Sequence, residues 1–373
     1  MSNKKTIVVG MSGGVDSSVC AALLKEQGHD VIGLFMKNWE EFDEYGVCQA
    51  SKEYRDVEKV CHKLNIPCYS VEFIDEYRKQ VFEKFVDDYK KGLTPNPDVL
   101  CNREIKFDVF YHRAMEMGAD FLATGHYCRI SHGQAGKPTL FKGVDSNKDQ
   151  SYFLHSVEGE VFKNVSFPLG EMTKSQVRNL AKKYNLPTCE KKDSTGICFI
   201  GERNFKNFLS QFISFHPGEF QNLEGEVVGE HSGASFYTLG QRKGLGLGGA
   251  GSPWYVVKKD NSQNIVYVER GEKHPALFCD DLEAFDVSWI QKMPSFPLKC
   301  QAKVRYRQKD QTCWVEIQDE VLKVTFERPQ RAIAPGQSIV FYNGQECLGG
   351  AVIKKTGKSY FEKSKPLPQA LVV

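Results

Sequence analysis

A glycine-rich segment lies directly between the first predicted strand and the first predicted helix. Residues 5–10 read KTIVVG, a short β-branched run, and residues 16–27 place apolar side chains at helical spacing. Backbone N–H groups at such a helix start face outward and can bind phosphate oxygens, and glycines allow a close approach. The sequence therefore predicts a phosphate-binding loop of eight residues: Gly10, Met11, Ser12, Gly13, Gly14, Val15, Asp16 and Ser17.

The spacing within this loop excludes two common nucleotide motifs. No Lys-Ser or Lys-Thr pair follows the glycines, so the loop is not a Walker A motif, and the Rossmann spacing GxGxxG is absent. The alternative is an ordinary glycine turn with Asp16 capping the helix, an arrangement that occurs at many strand-to-helix junctions.

A cysteine with activating neighbours lies in the segment LTPNPDVLCNREIKF, residues 93–107. Its prolines argue against a helix before Val99, so we expect a helix to start near Asn102 with Cys101 at its N-terminus. The positive end of the helix dipole and the nearby basic side chains would lower the pKa of this thiol from about 8.5. Cys101 is therefore a candidate nucleophile.

A second cysteine, Cys198, lies between two glycines in KKDSTGICFIGERNF, residues 191–205, which predicts a loop able to move. The chain has 12 cysteines, and the shortest gap between two of them is from Cys61 to Cys68, so no CxxC pair for zinc or thioredoxin-type redox chemistry exists. Most of the others are expected to be small buried hydrophobic residues, and Cys48 and Cys128 stay open.

Alternating strands and helices must position these residues. Strands are predicted at 5–10, 31–36, 67–73 and 121–127, and helices at 16–27, 50–64, 75–90, 102–117 and 174–184. Thr173 and Gln176 stand in capping-box register before the last of these helices. The alternation predicts a parallel, Rossmann-like sheet that binds its ligand beyond the carboxyl ends of the strands.

After about residue 215 the pattern changes to glycine-rich turns and short alternating runs, which favour β-structure. From about residue 282, such runs recur at the interval typical of a small β-barrel. We predict an α/β domain at 1–210, a central β-rich domain at 211–280, a C-terminal β-barrel at 281–362 and a tail at 363–373.

Composition limits the function classes. With 41% hydrophobic and 26% charged residues among 373, the chain is expected to be globular with two or three domains. No apolar run is long enough for a membrane span, and no signal or transit peptide is recognisable, so we expect a cytoplasmic protein without a membrane partner. Residues 286–373 carry 14 Lys and Arg against 8 Asp and Glu, which makes this region the basic part of the chain.

Several motifs together resemble one family. SGGVDS is similar to the pyrophosphate-binding loop of the ATP pyrophosphatases. With TPNPDVLCN, GHY, KDQSYFL at 148–154, DSTGICFIGERNF and TLGQRKGLGLGG at 238–249, it resembles the tRNA-specific 2-thiouridylases, in that family's order. The resemblance runs from residue 5 to about residue 352.

The resemblance implies an ATP-dependent enzyme that replaces the 2-oxygen of the wobble uridine of tRNA with sulfur. ATP, accompanied by Mg²⁺, would adenylate the oxygen. Cys198 would receive persulfide sulfur from a sulfur carrier or cysteine desulfurase, Cys101 would release that sulfur, and the two would end as a disulfide. The anticodon loop of tRNA is the implied partner. No tightly bound organic cofactor and no metal ligand set in the chain is implied.

The resemblance also assigns contact residues. Asp98 would act as an acid or base near the target base, although capping of the local helix explains it nearly as well. Met36 and Gly125, at the ends of two strands, would contact the nucleotide, and His126 alone would more often be a packed histidine. The residues implied in tRNA binding are Asn96, Pro97, Asp98, His126, Lys148, Asp149, Gln150, Arg305, Tyr306 and Gln337.

Two alternatives remain at this point. An argininosuccinate or GMP synthetase would share the first loop but would not need the two cysteine motifs or the barrel. A catalytically silent RNA-binding or sulfur-relay protein would not need SGGVDS. An iron–sulfur cluster also stays open, because cysteines far apart in sequence can converge.

Overall fold

The computed structural model describes residues 4–40, 48–132, 137–192 and 205–369. Cys198 lies outside the described residues, as does the rest of the predicted loop from 193 to 204.

The N-terminal part is built on a parallel sheet of five strands in the order β3-β2-β1-β4-β7. Because β1 lies at its centre, the loop that follows β1 leaves the middle of the carboxyl edge. The strands are β1 (Thr6–Met11), β2 (Asp30–Lys37), β3 (Cys68–Glu72), β4 (Phe121–Ala123) and β7 (Val165–Ser166).

Helices cover both faces of this sheet. Those packed on one face bury a core that includes Val9, Val19, Val57 and Val177. The helices on this face are α1 (Val15–Glu26), α2 (Gln49–Leu64) and α7 (Lys174–Lys183). The capping box predicted for α7 is confirmed, since Thr173 accepts a hydrogen bond from the backbone of Gln176 and the Gln176 side chain accepts one from the backbone of Thr173.

Two longer helical stretches contain π-helical turns. The first comprises α3 (Ile74–Tyr77), a π-helical segment (Arg78–Phe82) and α4 (Glu83–Lys90). The second comprises α5 (Pro97–Leu100), a π-helical segment (Cys101–Val109) and α6 (Phe110–Glu116). It packs Phe110 against Val8, Leu34 and Leu122 on the other face of the sheet.

The predicted start of the second stretch near Asn102 is wrong. The helix begins at Pro97, five residues earlier, with Asn96 as its N-cap. Proline is tolerated at the first helical position because the N–H that it lacks has no intrahelical partner there. Cys101 therefore lies a full turn inside the helix, beyond the first turn in which the helix dipole has most of its effect.

A central β unit follows helix α8 (Phe205–Leu209). Its sheet has the order β10-β11-β8-β9, in which only the β11–β8 pair is parallel. Its interior residues Phe220, Val256 and Val266 share one apolar cluster with Tyr77 and Cys101 of the first domain. The strands are β8 (Gly218–Gln221), β9 (Val227–His231), β10 (Trp254–Asp260) and β11 (Ile265–Arg270).

Six antiparallel strands form the C-terminal barrel, which closes through the pairing of β12 with β17. Alternate residues point inward, including Ala302, Val315, Val324 and Phe341. The strands are β12 (Phe278–Trp289), β13 (Leu298–Lys303), β14 (Gln311–Gln318), β15 (Val321–Arg331), β16 (Ser338–Asn343) and β17 (Glu346–Thr356). Beyond them, Lys363 pairs with Asp280 and Asp281 of β12.

A hairpin from the N-terminal part extends the barrel sheet. It consists of β5 (Cys128–His132) and β6 (Pro138–Lys142), and β6 pairs with β17 through Phe141 and Glu346. Lys142 is buried there, pairs with Asp310 and donates 3.0 Å to the carbonyl of Gly344. The hairpin therefore joins the first domain to the barrel both by strand pairing and by an ion pair whose lysine is buried.

The order of parts confirms the predicted fold class: a parallel α/β domain, a central β-rich unit and a C-terminal β-barrel. In the described residues, no helix has the length and apolar character needed to cross a membrane.

Candidate functional site

The glycine loop adopts a tight turn that leads into α1. Gly13 has φ +70°, and a Cβ placed on it would lie 2.7 Å from the backbone oxygen of Glu53, so this position requires glycine. The carbonyl of Gly14, the N-cap residue, accepts a hydrogen bond of 2.7 Å from the Ser18 hydroxyl. The Ser17 hydroxyl accepts one of 3.2 Å from the Ser12 N–H. The loop is thus fixed from within, at the carboxyl edge where ligands of parallel sheets bind.

Two lysines that the sequence reasoning missed contact this loop. The ammonium group of Lys174 lies 2.7 Å from the Asp16 carboxylate. The same carboxylate accepts a hydrogen bond of 2.8 Å from the Tyr127 hydroxyl. Lys191 donates 2.9 Å to the carbonyl of Gly13. Both ammonium groups lie beside the predicted phosphate site, and each is paired with a carboxylate: Lys174 with Asp16, and Lys191 with Asp56 at 2.9 Å. The only sequence signals were the position of Lys174 at the start of α7 and that of Lys191 beside the Cys198 motif.

Met36 and Gly125 lie at or just beyond the carboxyl ends of β2 and β4, and their nucleotide contacts stay predictions. Met36 is the penultimate residue of β2, and Gly125 follows β4 by two residues. A Cβ on Gly125 would lie 3.1 Å from the backbone nitrogen of Ser17, which leaves little room for any side chain. Gly125 therefore packs directly on the loop, whereas Met36 packs against the apolar cluster that contains Cys101.

The helix that begins at Pro97, which we call the thiol helix, carries Asp98 and Cys101. The Asn96 side chain accepts a hydrogen bond of 3.2 Å from the backbone N–H of Asp98. Burial raises the pKa of the Asp98 carboxyl and Lys106 opposes that shift, so Asp98 holds a proton more readily than an exposed aspartate. The Cys101 side chain is 2% exposed. Both side chains are thus sheltered from solvent, and their catalytic roles stay predictions.

The thiol helix and the glycine loop are in contact. A Cβ on Gly10 would lie 3.2 Å from the Phe110 ring, which is on the same helical stretch as Cys101. Cys101 lies nine residues before Phe110 on this stretch, so the contact joins the loop to the helix that carries the thiol, and convergence of the thiol itself with the loop stays a prediction. The approach of Cys198 to the glycine loop and to Cys101 stays a prediction.

His126 is packed rather than exposed. Its ring is 8% exposed, lies 5.7 Å from the rings of Phe107 and Phe167, and shares a hydrogen bond of 2.7 Å with the Thr124 hydroxyl. Burial, with a smaller effect of Lys106, holds its pKa well below the usual range, so the ring is neutral near pH 7. Its predicted tRNA contact would have to use a neutral ring.

The predicted tRNA contacts at 148–150 are engaged within the protein. The Asp149 carboxylate accepts 3.2 Å from the Gly143 N–H and lies 3.4 Å from the Lys303 ammonium of β13. Gln150 exchanges two hydrogen bonds with the backbone of Tyr127, of 3.0 and 3.1 Å. This segment therefore connects the first domain to the barrel, and its direct tRNA contact stays a prediction.

The three predicted tRNA contacts of the barrel also face other parts of the chain. The Arg305 guanidinium donates a hydrogen bond of 2.8 Å to the carbonyl of Leu239 and one of 2.7 Å to the carbonyl of Ala332. The Tyr306 ring lies 4.5 Å from the Phe153 ring. Gln337 donates 2.7 Å to the carbonyl of Thr94, close to the thiol helix. All three lie at junctions between the barrel and the rest of the molecule.

A buried histidine makes the junction between the first domain and the barrel sensitive to acid. His155 shares a hydrogen bond of 3.0 Å with the Ser338 hydroxyl, and burial, reinforced by Arg103, lowers its pKa to about 3. In the unfolded chain the histidine pKa is about 6.5, so the unfolded state binds a proton on this ring more tightly than the folded state does. The contribution of the neutral ring to the free energy of unfolding is therefore fully present above about pH 6.5 and is lost as the pH falls below that value.

We expect His155→Leu to reduce the pH dependence of folding stability. Between about pH 7 and about pH 5, the wild-type free energy of unfolding should fall by about 1–2 kcal/mol more than that of the variant. Urea unfolding of both proteins at the two pH values measures this difference. Equal pH dependence would mean that His155 takes up its proton in the folded state.

Among the described residues, no group of three His, Cys, Asp or Glu side chains is arranged to hold a metal ion. Asp16 is the acidic side chain of the loop, and its oxygens are engaged by Lys174 and Tyr127.

The fold defines a class: a protein with a parallel α/β domain followed by two β units. Three family models match the chain in that order. They are described as a tRNA methyl transferase HUP domain over residues 5–202, a tRNA methyl transferase PRC-barrel domain over residues 206–270, and an aminomethyltransferase β-barrel domain over residues 279–353.

Relatives identify the family within that class. The chain is 59% identical to the tRNA-specific 2-thiouridylase MnmA of Protochlamydia amoebophila, covering 99% of this chain and 98% of that one. It is 53% identical to the protein of that name from Staphylococcus aureus, covering 96% and 98%, and 52% identical to that from Bacillus subtilis, covering 93% and 94%. The chain belongs to the tRNA-specific 2-thiouridylase family, which confirms the resemblance found in the sequence.

Proposed function

We propose that this chain catalyses the ATP-dependent replacement of the 2-oxygen of the wobble uridine of tRNA by sulfur. One observation carries the proposal: the helix with Asp98 and Cys101 packs through Phe110 against Gly10 of the predicted phosphate loop. A group that activates oxygen and a thiol that handles sulfur are useful together only if both reach one substrate atom.

The first step is activation of the uracil oxygen. The 2-oxygen attacks the α-phosphorus of ATP, pyrophosphate leaves, and the oxygen becomes part of a good leaving group, AMP. Backbone N–H groups of the loop and the ammonium groups of Lys174 and Lys191 stabilise the negative charge that develops on the phosphates. Mg²⁺, when bound with the triphosphate, would screen its charge, and the loop provides no ligand set of its own for the ion.

The second step delivers sulfur. A persulfide-donating carrier or cysteine desulfurase leaves Cys198 as Cys–S–SH, whose outer sulfur attacks carbon 2 and expels AMP. The Cys101 thiolate then attacks the inner sulfur of Cys198, which leaves the outer sulfur on the base and forms a Cys101–Cys198 disulfide. An external thiol reductant restores both thiols. The buried Asp98 carboxyl, with its raised pKa, is suited to exchange a proton during these steps.

Both the α/β domain and the C-terminal barrel would contribute to binding of the anticodon loop. The excess of basic residues in 286–373 provides attraction for phosphates. A wobble base is in a single-stranded loop, so turning it into a pocket costs little. Asn96, Pro97 and Asp98 at the start of the thiol helix are the proposed contacts to that base, and this role implies a cytoplasmic protein.

The direct test uses unmodified tRNA, ATP and a persulfide source with the full chain. We expect 2-thiouridine at the wobble position, detected by mass spectrometry of nucleosides, together with release of AMP and pyrophosphate that depends on the tRNA. Tight tRNA binding without AMP release would instead support a silent RNA-binding protein. AMP release without thiolation would support a different ATP pyrophosphatase reaction.

A further inference from the structure

The segment that leads into the thiol helix is held by both β units. Lys259 of β10 donates 2.9 Å to the carbonyl of Gly92. From the barrel, Gln337 donates 2.7 Å to the carbonyl of Thr94, and the Thr94 N–H donates 3.0 Å to the carbonyl of Pro335. The backbone of Gly92 is thus held by the central β unit, and the backbone of Thr94, two residues later, is held by the barrel.

The contact from Lys259 is specific to its site. Gly92 has φ +74°, and a Cβ on it would lie 1.8 Å from the Asn261 side chain, so the β10–β11 turn closes directly over this glycine. Burial lowers the pKa of the Lys259 ammonium to about 8, and no described carboxylate forms an ion pair with it. An ammonium group that loses water on burial without an acidic partner depends strongly on the carbonyl that it meets.

The contact reaches the chemistry through a short, ordered path. From Gly92 the chain passes Thr94 to Asn96, whose side chain caps the helix by accepting from the Asp98 N–H at 3.2 Å. Cys101 follows one turn later. Loss of the contact at Gly92 would therefore free the start of the segment that leads to the cap, the carboxyl group and the thiol, and would leave the barrel contacts at Thr94 to hold it.

We propose that Lys259 is a positioning residue of the thiolation reaction, which holds the helix of Asp98 and Cys101 in register by its hydrogen bond to the Gly92 carbonyl. The barrel supports the same segment through Gln337. The positioning itself is independent of the chemistry, while its effect on sulfur transfer rests on the proposed function.

The neighbouring lysine provides a matched control. Lys258 precedes Lys259 on the same strand and is exposed, with its ammonium 5.6 Å from the Tyr267 ring. Because side chains alternate along a strand, the two lysines face opposite sides of the sheet. Lys259→Met and Lys258→Met thus make the same chemical change, but only Lys259→Met removes the hydrogen bond to the Gly92 carbonyl.

Hydrogen exchange followed by mass spectrometry tests the positioning. In Lys259→Met, we expect amides of residues 93–101 to exchange about 10-fold faster, while those of β12–β17 keep the wild-type rate. In single-turnover thiolation, the rate should fall about 10-fold with tRNA affinity within about 2-fold of the wild type. Lys259→Arg, which keeps a charged donor, should recover most of the loss, and Lys258→Met should behave as the wild type.

Unchanged exchange at 93–101 in Lys259→Met would overturn the proposal, as would faster exchange across the whole chain, which would indicate a general loss of stability. Lys259→Gln, which is neutral and one atom shorter, so that its amide is drawn back from the Gly92 carbonyl, replaces the Met variant if the latter does not fold, with the same local exchange as its readout. If the wild type itself does not thiolate tRNA, the proposed function fails while the exchange result still decides the positioning.

Discussion

Cys101→Ser is expected to stop sulfur transfer, with a fall in the thiolation rate on the order of 10³-fold or more. A serine hydroxyl is almost never ionised at neutral pH, is a poor nucleophile toward sulfur and cannot form the disulfide that ends the proposed reaction. The substitution is nearly isosteric in a side chain that is 2% exposed, so the fold should survive it. Single-turnover thiolation with nucleoside mass spectrometry measures the rate.

The matched control is Cys279→Ser, at a thiol of β12 that is also buried, 6% exposed, and far from the loop in the sequence. It should thiolate tRNA at the wild-type rate, and tRNA affinity should be unchanged in both variants. If Cys101→Ser forms product normally, Cys101 is only a packed thiol of the cluster that it shares with Tyr77 and Phe85.

Gly13→Ala is expected to slow the ATP-dependent step by about 10²-fold. The residue has φ +70°, and its new methyl group would lie 2.7 Å from a backbone oxygen of Glu53, so the loop must shift. The carbonyl of Gly13, which accepts from Lys191, would move with it. Release of pyrophosphate in the presence of unmodified tRNA measures the effect.

Gly248→Ala is the control for this variant, because a Cβ at Gly248 meets nothing within 4 Å. Its pyrophosphate release should equal that of the wild type. A normal rate for Gly13→Ala would show that the exact path of the loop backbone does not matter, and would remove the phosphate-binding role from this turn.

Local patterns were sufficient to predict the parallel sheet and the loop after its first strand. The strand of KTIVVG, the glycines and the capping box at Thr173 all act over a few residues, and each is found where it was expected. The thiol helix was misplaced although its signal was local. Asn96 followed by Pro97 is an N-cap followed by a favourable first helical residue, whereas the prolines of this segment by themselves predict a helix break.

Contacts between distant segments could not be read from such patterns. Lys174 and Asp16 are 158 residues apart, and Gln337 and Thr94 are 243 apart. Nothing in the residues around Arg305 indicates that it faces the carbonyl of Leu239 rather than solvent. The roles of the predicted site residues and the exact domain boundaries therefore stay predictions.

The hairpin β5–β6 bears on how the protein is made. It leaves the ribosome with its partner strand β17 still more than 200 residues from being synthesised. At usual translation speeds that interval is on the order of 10 to 40 seconds. During this time Lys142 has no Asp310 to pair with and the edge of β6 is uncovered. Nascent chains halted before the barrel is complete should thus be prone to aggregate and good substrates for chaperones.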